Sequence, residues 1–311
     1  MKTIHTIDCH YAGLDFVACS YLVVEGDRAS FIETNTTHAL PYLLGKLEEL
    51  KIPKENVDYI IVTHVHLDHA GGASALLGVC PNAKILAHPK TAKHLINPIR
   101  LIQSSKTVYG EENFQKLYGE ISPAPEERVR VMSDREVLEW GNRKFTFYYT
   151  KGHANHHFCI HDSLSNSIFT GDSFGISYPN LENGKRFIFP TTTPTDFDYE
   201  EAVLSIDIII NTGAEIAYLT HFDGVDSLSD KAEALKQSLT LCDSAINEAV
   251  SVNKNEEDMS LYFEAKVKEM IENAAIRQGV LLTKDDWNLL NLDVNLNAQG
   301  LKFAALKSSA R

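Results

Sequence analysis

From the N-terminus to about residue 224, apolar positions follow two alternating rhythms, one of period two and one of helical period. Phe16–Val24 and Ala29–Glu33 are rich in β-branched and aromatic residues and flank Gly26–Asp27, which predicts a β-hairpin. His38–Lys51 carries leucines at helical spacing and stops before Pro53, which predicts a helix. Asp58–Thr63 (DYIIVT) predicts a buried strand and Lys84–His88 a short one; Lys144–Thr150, His157–His161, Ser167–Thr170 and Glu215–Thr220 predict further strands. Tyr199–Asn211 predicts a helix between the last two. Beyond Ser227 the rhythm becomes helical throughout: Ser229–Val250 and Met259–Gln278 predict long helices, and a shorter helical or irregular tail runs through Asp286–Ser308. Strands interleaved with helices point to the α/β class. The expected division is a layered domain over 1–224 and a helical extension over 225–311 that packs on it.

Composition narrows the function classes. With 44% apolar and 23% charged residues, the 311-residue chain reads as an ordinary globular protein, which rules out a disordered or coiled-coil chain. Acidic residues outnumber basic ones by 42 to 29, so the net charge of −13 disfavours a nucleic-acid partner or an anionic membrane surface. The opening MKTIHTIDCHYAGLDF lacks the apolar core of a signal peptide. No window reaches the ~20 apolar residues of a membrane span. Cys9, Cys19, Cys80, Cys159 and Cys242 are scattered and contain no CxxC pair, which predicts reduced thiols in a cytoplasm, Cys159 being buried in a strand.

The 13 histidines are the unusual count, and their positions carry the chemistry. The run THVHLDHAGG (63–72) follows the buried strand DYIIVT directly. Side chains two apart in extended backbone share a side, so His64 and His66 can hold one metal ion together. Asp68 and His69 come where the chain turns toward a helix, and can serve a second ion. Gly71 and Gly72 permit the tight turn. Three later residues share this placement at the end of an apolar run: His153 after KFTFYYT, Asp172 after SIFTG and His221 after EIAYLT. Neutral imidazoles with carboxylates suit zinc, iron or manganese. His157 reads as a loop-supporting neighbour, and His5, His10, His38, His88 and His94 as surface or core residues.

Taken together, THVHLDHAGG, GHANHH, TGDSFG and LTHFD resemble the metallo-β-lactamase superfamily, in the hydrolytic branch that includes glyoxalase II and lactonases. The resemblance implies a four-layer αββα sandwich with a C-terminal helical extension. By position it implies that His64, His66 and His153 hold one metal ion, that Asp68, His69 and His221 hold the other, and that Asp172 bridges them. HPKTAKHLINP (88–98) and LNAQGL (296–301) are similar to segments of a poorly assigned bacterial and archaeal subgroup. Two departures stand out. The usual Asp-Thr-Gly after the second strand reads Glu33-Thr34-Asn35, and the commoner GHTPGH reads GHANHH. The cations with which glyoxalase II holds glutathione have no counterpart in this tail.

The expected activity is hydrolysis of an ester, thioester or lactone by hydroxide held between two divalent ions, zinc first. Asp68 is the expected catalytic residue, orienting the nucleophile and carrying a proton. Tyr178, Lys185 and Arg186, after Asp172, are the candidate contacts for a small, anionic substrate. The alternatives are a phosphodiesterase or ribonuclease on the same scaffold and a di-iron redox protein, though the redox branch normally has Glu where this chain has His66. The apolar stripes Leu235, Leu239, Cys242, Ile246 and Phe263, Val267, Met270, Ile271 must bury against something. They form a wall of the cleft, pack on the outer sheet, or make a homodimer contact. The segment 293–299 is expected at the rim of that cleft or supporting it.

Overall fold

Six short strands rich in Val, Ile, Leu and Phe pair into one sheet in chain order: β1 (Ile4–Asp8), β2 (Cys19–Glu25), β3 (Arg28–Ile32), β4 (Val57–Ile61), β5 (Lys84–Ala87) and β6 (Val129–Val131). The first three run antiparallel, and β3 to β6 run parallel. Gly26, at φ 64°, supplies the left-handed residue of the β2–β3 turn. Residues on both faces of β3, β4 and β5 are buried, as parallel strands require when both faces are covered. On one face Leu22, Phe31, Ile60 and Ile85 join Leu43 and Leu47 of α1 (Leu40–Leu50) in a single core. After α2 (Leu67–Ala70), Leu76 and Leu77 of α3 (Ala73–Val79) enter the same core. Each such side chain contributes about 1.5–3 kcal/mol. The crossover to β6 carries α4 (Pro89–Ile96), α5 (Ile99–Tyr109) and α6 (Glu111–Tyr118). An antiparallel meander follows: β7 (Val137–Trp140), β8 (Arg143–Tyr149), β9 (Phe158–Asp162) and β10 (Ser167–Gly171). The sequence pattern missed β1, β6, β7, α4, α5 and α6, which are short or mostly polar.

The computed structural model describes residues 3–181, 184–192, 194, 196–252 and 256–309. Its elements divide into two compact units. The first is Met1–Tyr149 with His156–Gly171 and Thr220–Asp223; the second is Thr150–Asn155, Asp172–Leu219 and Gly224–Arg311. The second holds α7 (Tyr199–Asn211), β11 (Ile216–Leu219) and the tail helices α8 (Leu228–Ser251), α9 (Glu256–Arg277), α10 (Lys284–Leu289) and α11 (Asn291–Ser309). This division differs from a cut at residue 224, because α7 packs on α8 and draws the loops after β8 and β10 toward the tail. The expected stripes of α8 and α9 are buried, and α8, α9 and α11 pack on one another. The tail is helical to Ser309, and a Thr283–Asp286 capping box starts α10.

The five cysteines are free and buried, and Cys159 lies in β9 as expected. Burial pushes the thiols of Cys9 and Cys242 up to about 12 and that of Cys80 to about 11. Among the described residues no helix is long and apolar enough to cross a membrane.

His88 has a structural task. Its Nδ1 accepts the Lys90 backbone N–H at 3.1 Å and caps α4, which requires a neutral ring. Burial, helped by Lys90, lowers its pKa from 6.5 to about 4. The unfolded chain therefore binds the extra proton first on acidification. The stabilisation is complete above pH 6.5 and is lost as the pH falls from 6.5 toward 4, at most about 3 kcal/mol. Denaturant titrations across that window should show a shallower acid slope for His88→Asn, which keeps a capping acceptor that does not titrate.

Candidate metal centre

The chain leaves β4 in extended form, and His66, at φ −58° and ψ 145°, starts α2. Val65 is buried and His64 and His66 turn together, with His64 Nε2 2.9 Å from His66 Nδ1. Asp68 and His69 occupy the following helical turn. The segment after β3 grips this turn. Thr34 donates to the His69 carbonyl from its backbone N–H (2.8 Å) and its hydroxyl (2.9 Å), and Asn35 Nδ2 donates to the Asp68 carbonyl at 2.9 Å. A Cβ at Gly72 would lie 2.8 Å from the Thr36 carbonyl oxygen, so the close approach needs glycine.

Hydrogen bonding fixes the tautomers of two imidazoles. His221 Nδ1 lies 2.9 Å from the Val17 carbonyl, which can only accept, so the proton is on Nδ1. Its Nε2 then presents a lone pair, 3.5 Å from Asp68 Oδ2. The Thr63 hydroxyl donates its one proton to Glu33 Oε1, so it must accept from His64 Nδ1–H at 3.0 Å. The lone pair of His64 is thereby on Nε2, the nitrogen beside His66 Nδ1. His69 is fully buried, with Nδ1 3.6 Å from Glu33 Oε1 and Nε2 3.9 Å from Asp68 Oδ2. Ligand atoms of Asp68, His69 and His221 lie within 4.8 Å of one another. Asp68 is the most open of these, its side chain 25% exposed.

In the second unit, His153 Nε2 lies 3.4 Å from Asp172 Oδ2, and both side chains are buried. Gly152 takes φ 100° where the backbone presses on α7, and Asp198 N–H binds its carbonyl at 3.0 Å. His153 and Asp172 line a small cavity of about 20 Å³ with Pro190, Thr191 and, from α8, Leu235 and Leu239. The tail thus supplies part of a wall at this pair.

The candidate substrate contacts lie elsewhere in that unit. Tyr178 is buried, its hydroxyl donating to Asp293 Oδ1 at 3.1 Å. Lys185 Nζ reaches the Gly279 carbonyl at 3.0 Å. Arg186 Nη2 donates to the Ser177 carbonyl at 2.9 Å and lines a separate open groove of about 480 Å³. Tyr178 and Lys185 therefore tether the loop after Asp172 to the tail. Asn297 adds to the tether, accepting the Thr192 N–H at 2.6 Å and hydroxyl at 2.9 Å, and Gln278 bonds both backbone groups of Ile188. The segment 293–299 supports the loop.

The sequence reading passed over Thr63 and Val17, and marked His156 only as a departure in the GHANHH loop. Thr63 could have been found as the residue that opens the histidine run. Val17 acts through its backbone and leaves no side-chain signal. His156, replacing glycine of the commoner loop, lies edge-on to His66 at 5.4 Å between ring centroids. His157 is buried against the same loop, where a Cβ on Gly171 would come within 2.5 Å of its Nε2.

The lone-pair nitrogens and carboxylate oxygens form a donor set that fits divalent zinc, iron or manganese. A family model described as the metallo-β-lactamase superfamily matches residues 15–221. The chain belongs to that superfamily. A metallo-β-lactamase fold-containing protein of Sulfurisphaera tokodaii is 30% identical over 197 residues, 62% of this chain and 70% of that one. A solved archaeal superfamily protein from Sulfolobus tokodaii matches with TM-score 0.69 at 22% identity, covering 97% of this chain and 99% of the other. It shares the expected fold, two sheets flanked by helices with a C-terminal helical region. A nitric oxide reductase of Moorella thermoacetica is 26% identical over 41% of this chain, and a hydroxyacylglutathione hydrolase of Francisella tularensis subsp. novicida is 26% identical over 39%. The matched stretches span 30% and 35% of those two relatives. This superfamily protein is therefore metal-dependent, with imidazole-rich candidate sites.

Proposed function

We propose that the chain is a dinuclear metal-dependent hydrolase of esters, thioesters or lactones. In this reading His64, His66 and His153 hold one ion, Asp68, His69 and His221 the other, and Asp172 bridges them. Zinc is the first choice of metal, the substrate is a small molecule, and the setting is a reducing cytoplasm. The observation that carries the reading is the pair of fixed tautomers, which leave the lone pairs on His64 Nε2, beside His66, and on His221 Nε2, beside a part-exposed Asp68. Bound ions would supply Lewis-acid polarisation of the scissile carbonyl and a water acidic enough to act as nucleophile at neutral pH. Asp68, open to solvent, orients that water and takes a proton from it for the leaving group. Thr63 and the Val17 carbonyl engage the Nδ1–H of His64 and His221, which leaves Nε2 of each ring as the nitrogen to ligate.

The nitric oxide reductase relative favours a di-iron redox reading as the second choice. Histidine at position 66 speaks for the hydrolase. Elemental analysis of loaded protein should approach two metal ions per chain and fall in His64→Ala and in His221→Ala; unchanged content would overturn the ligand assignment. A panel of lactones, thioesters and phosphodiesters should show turnover of the first two classes that a chelator abolishes. Oxygen or nitric oxide consumption by iron-loaded protein, without hydrolysis, would favour the redox reading.

A further inference from the structure

We propose that Lys90, Lys93 and Arg100 form an anion-docking face beside the metal centre, which takes the charged part of a substrate that carries several negative charges. The inference rests on the hydrolase reading and narrows its substrate class. Acidic residues number 42 in this chain, yet none falls between Asp68 and Glu111, a run that holds Lys84, Lys90, Lys93, Arg100 and Lys106. A chain of net charge −13 thus keeps one region basic. Lys106 is paired with Glu111, and Lys84 opens β5 beside Tyr59. The other three are exposed and make no ion pair among the described residues. Lys90 and Lys93 lie three positions apart on α4 and so share a side of it, and Arg100 is in the first turn of α5. Their field is felt locally. Burial, then Arg100 and Lys93, hold the His94 imidazole below its ordinary pKa, and Lys90 adds to the same effect of burial at His88.

Packing seats this face on the ligand turn. The hydroxyl of Thr91, between the two lysines in sequence, donates to the His156 carbonyl at 2.8 Å. His156 Nδ1 accepts, at 3.5 Å, the backbone N–H of Val65, the residue between His64 and His66. His94, Leu95, Pro98 and Leu101 share a small cavity with Val65 and Leu67. The number of cations decides among occupants. Nucleic-acid binders neutralise roughly 6–10 phosphates, and lipid-binding clusters hold about 4–8 lysines or arginines. Three unpaired cations fall short of both and match the few charges of one phosphorylated small molecule. Among esters, thioesters and lactones, the class that carries such charge is a thioester whose thiol half bears phosphate groups. Opposite charge beside a site raises the encounter rate about 10–10³-fold, a gain that salt removes.

The test compares two thioesters of one acyl group on the zinc-loaded protein: acetyl-coenzyme A, whose thiol half carries phosphates, and the acetyl thioester of N-acetylcysteamine, which is neutral. At low ionic strength kcat/KM should favour the first by roughly tenfold or more, and the preference should shrink in high salt. The triple variant Lys90→Ala, Lys93→Ala, Arg100→Ala should lose that preference through KM and leave the neutral thioester unchanged. Its substitutions are all at exposed positions, so thermal unfolding should match the parent. Lys84→Ala, a cation of the same run outside the face, should change nothing. A second measurement needs no turnover. S-ethyl-coenzyme A, a thioether with no acyl bond to cleave, should bind the parent in calorimetry and the triple variant about tenfold more weakly. Equal behaviour of the two thioesters, equal losses from Lys84→Ala, or a triple variant that binds as the parent does would overturn the proposal. So would binding to phosphatidylserine vesicles that the triple variant loses while S-ethyl-coenzyme A is ignored by both. Protein that binds S-ethyl-coenzyme A through the three cations and hydrolyses no ester, thioester or lactone would sink the hydrolase reading and leave the docking face standing.

Discussion

Asp68→Asn is expected to lower hydrolysis by about 10²–10⁴-fold while the protein keeps most of its metal. Asparagine retains a carbonyl oxygen in place of Oδ2, so a ligand atom remains beside His69 Nε2 and His221 Nε2. What it loses is the negative charge and the capacity to take a proton. The two effects part experimentally: metal content by elemental analysis stays near that of the parent, while steady-state kcat falls. Loss of metal in proportion to activity would make Asp68 a ligand only. Full activity would remove it from the chemistry altogether.

Gly152→Ala should be the most damaging single-atom change outside the ligands. A Cβ there would sit 2.2 Å from the Ala202 nitrogen and 2.3 Å from its Cα, both backbone atoms of α7 that cannot step aside. Its φ of 100° adds strain for any L side chain. Together the overlap and the strain should cost about 3–5 kcal/mol, read from denaturant midpoints. Gly213→Ala is the control: φ is 73°, but nothing lies within 4 Å, so only the strain of about 1–2 kcal/mol remains. Because His153 follows Gly152 directly, the first variant should also lose metal, and the second should keep it. Equal destabilisation of the two would mean that α7 yields.

The histidine run was readable because strand periodicity and ligand spacing coincide. His64 and His66 lie on one side since side chains two apart in extended backbone must, and the glycines after them mark a close approach that the Thr36 carbonyl makes real. The long tail helices were equally plain, for Leu235 and Leu239 recur at helical spacing. Glu33 and Asn35 were visible only as departures. Asn35 takes φ 53°, a conformation asparagine tolerates better than most residues, so a glycine position survives without glycine. The partners that set the tautomers were not readable: Val17 acts through a carbonyl 204 positions away from His221, a distance no local pattern spans. Tyr178 and Lys185 look like substrate contacts in sequence because an aromatic and a cation sit on a loop beside a ligand. Their hydrogen bonds go to Asp293 and Gly279, which belong to segments with no periodic relation to that loop.

The buried tethers from Asn297 to Thr192 and from Tyr178 to Asp293 fix two described points of the segment after Asp172 to the tail. Swinging the segment outward would strip several hydrogen bonds from groups shielded from water, and each bared donor or acceptor costs about 1–3 kcal/mol. The Thr192 amide, held by Asn297, should therefore exchange with solvent only when the tail helices release it.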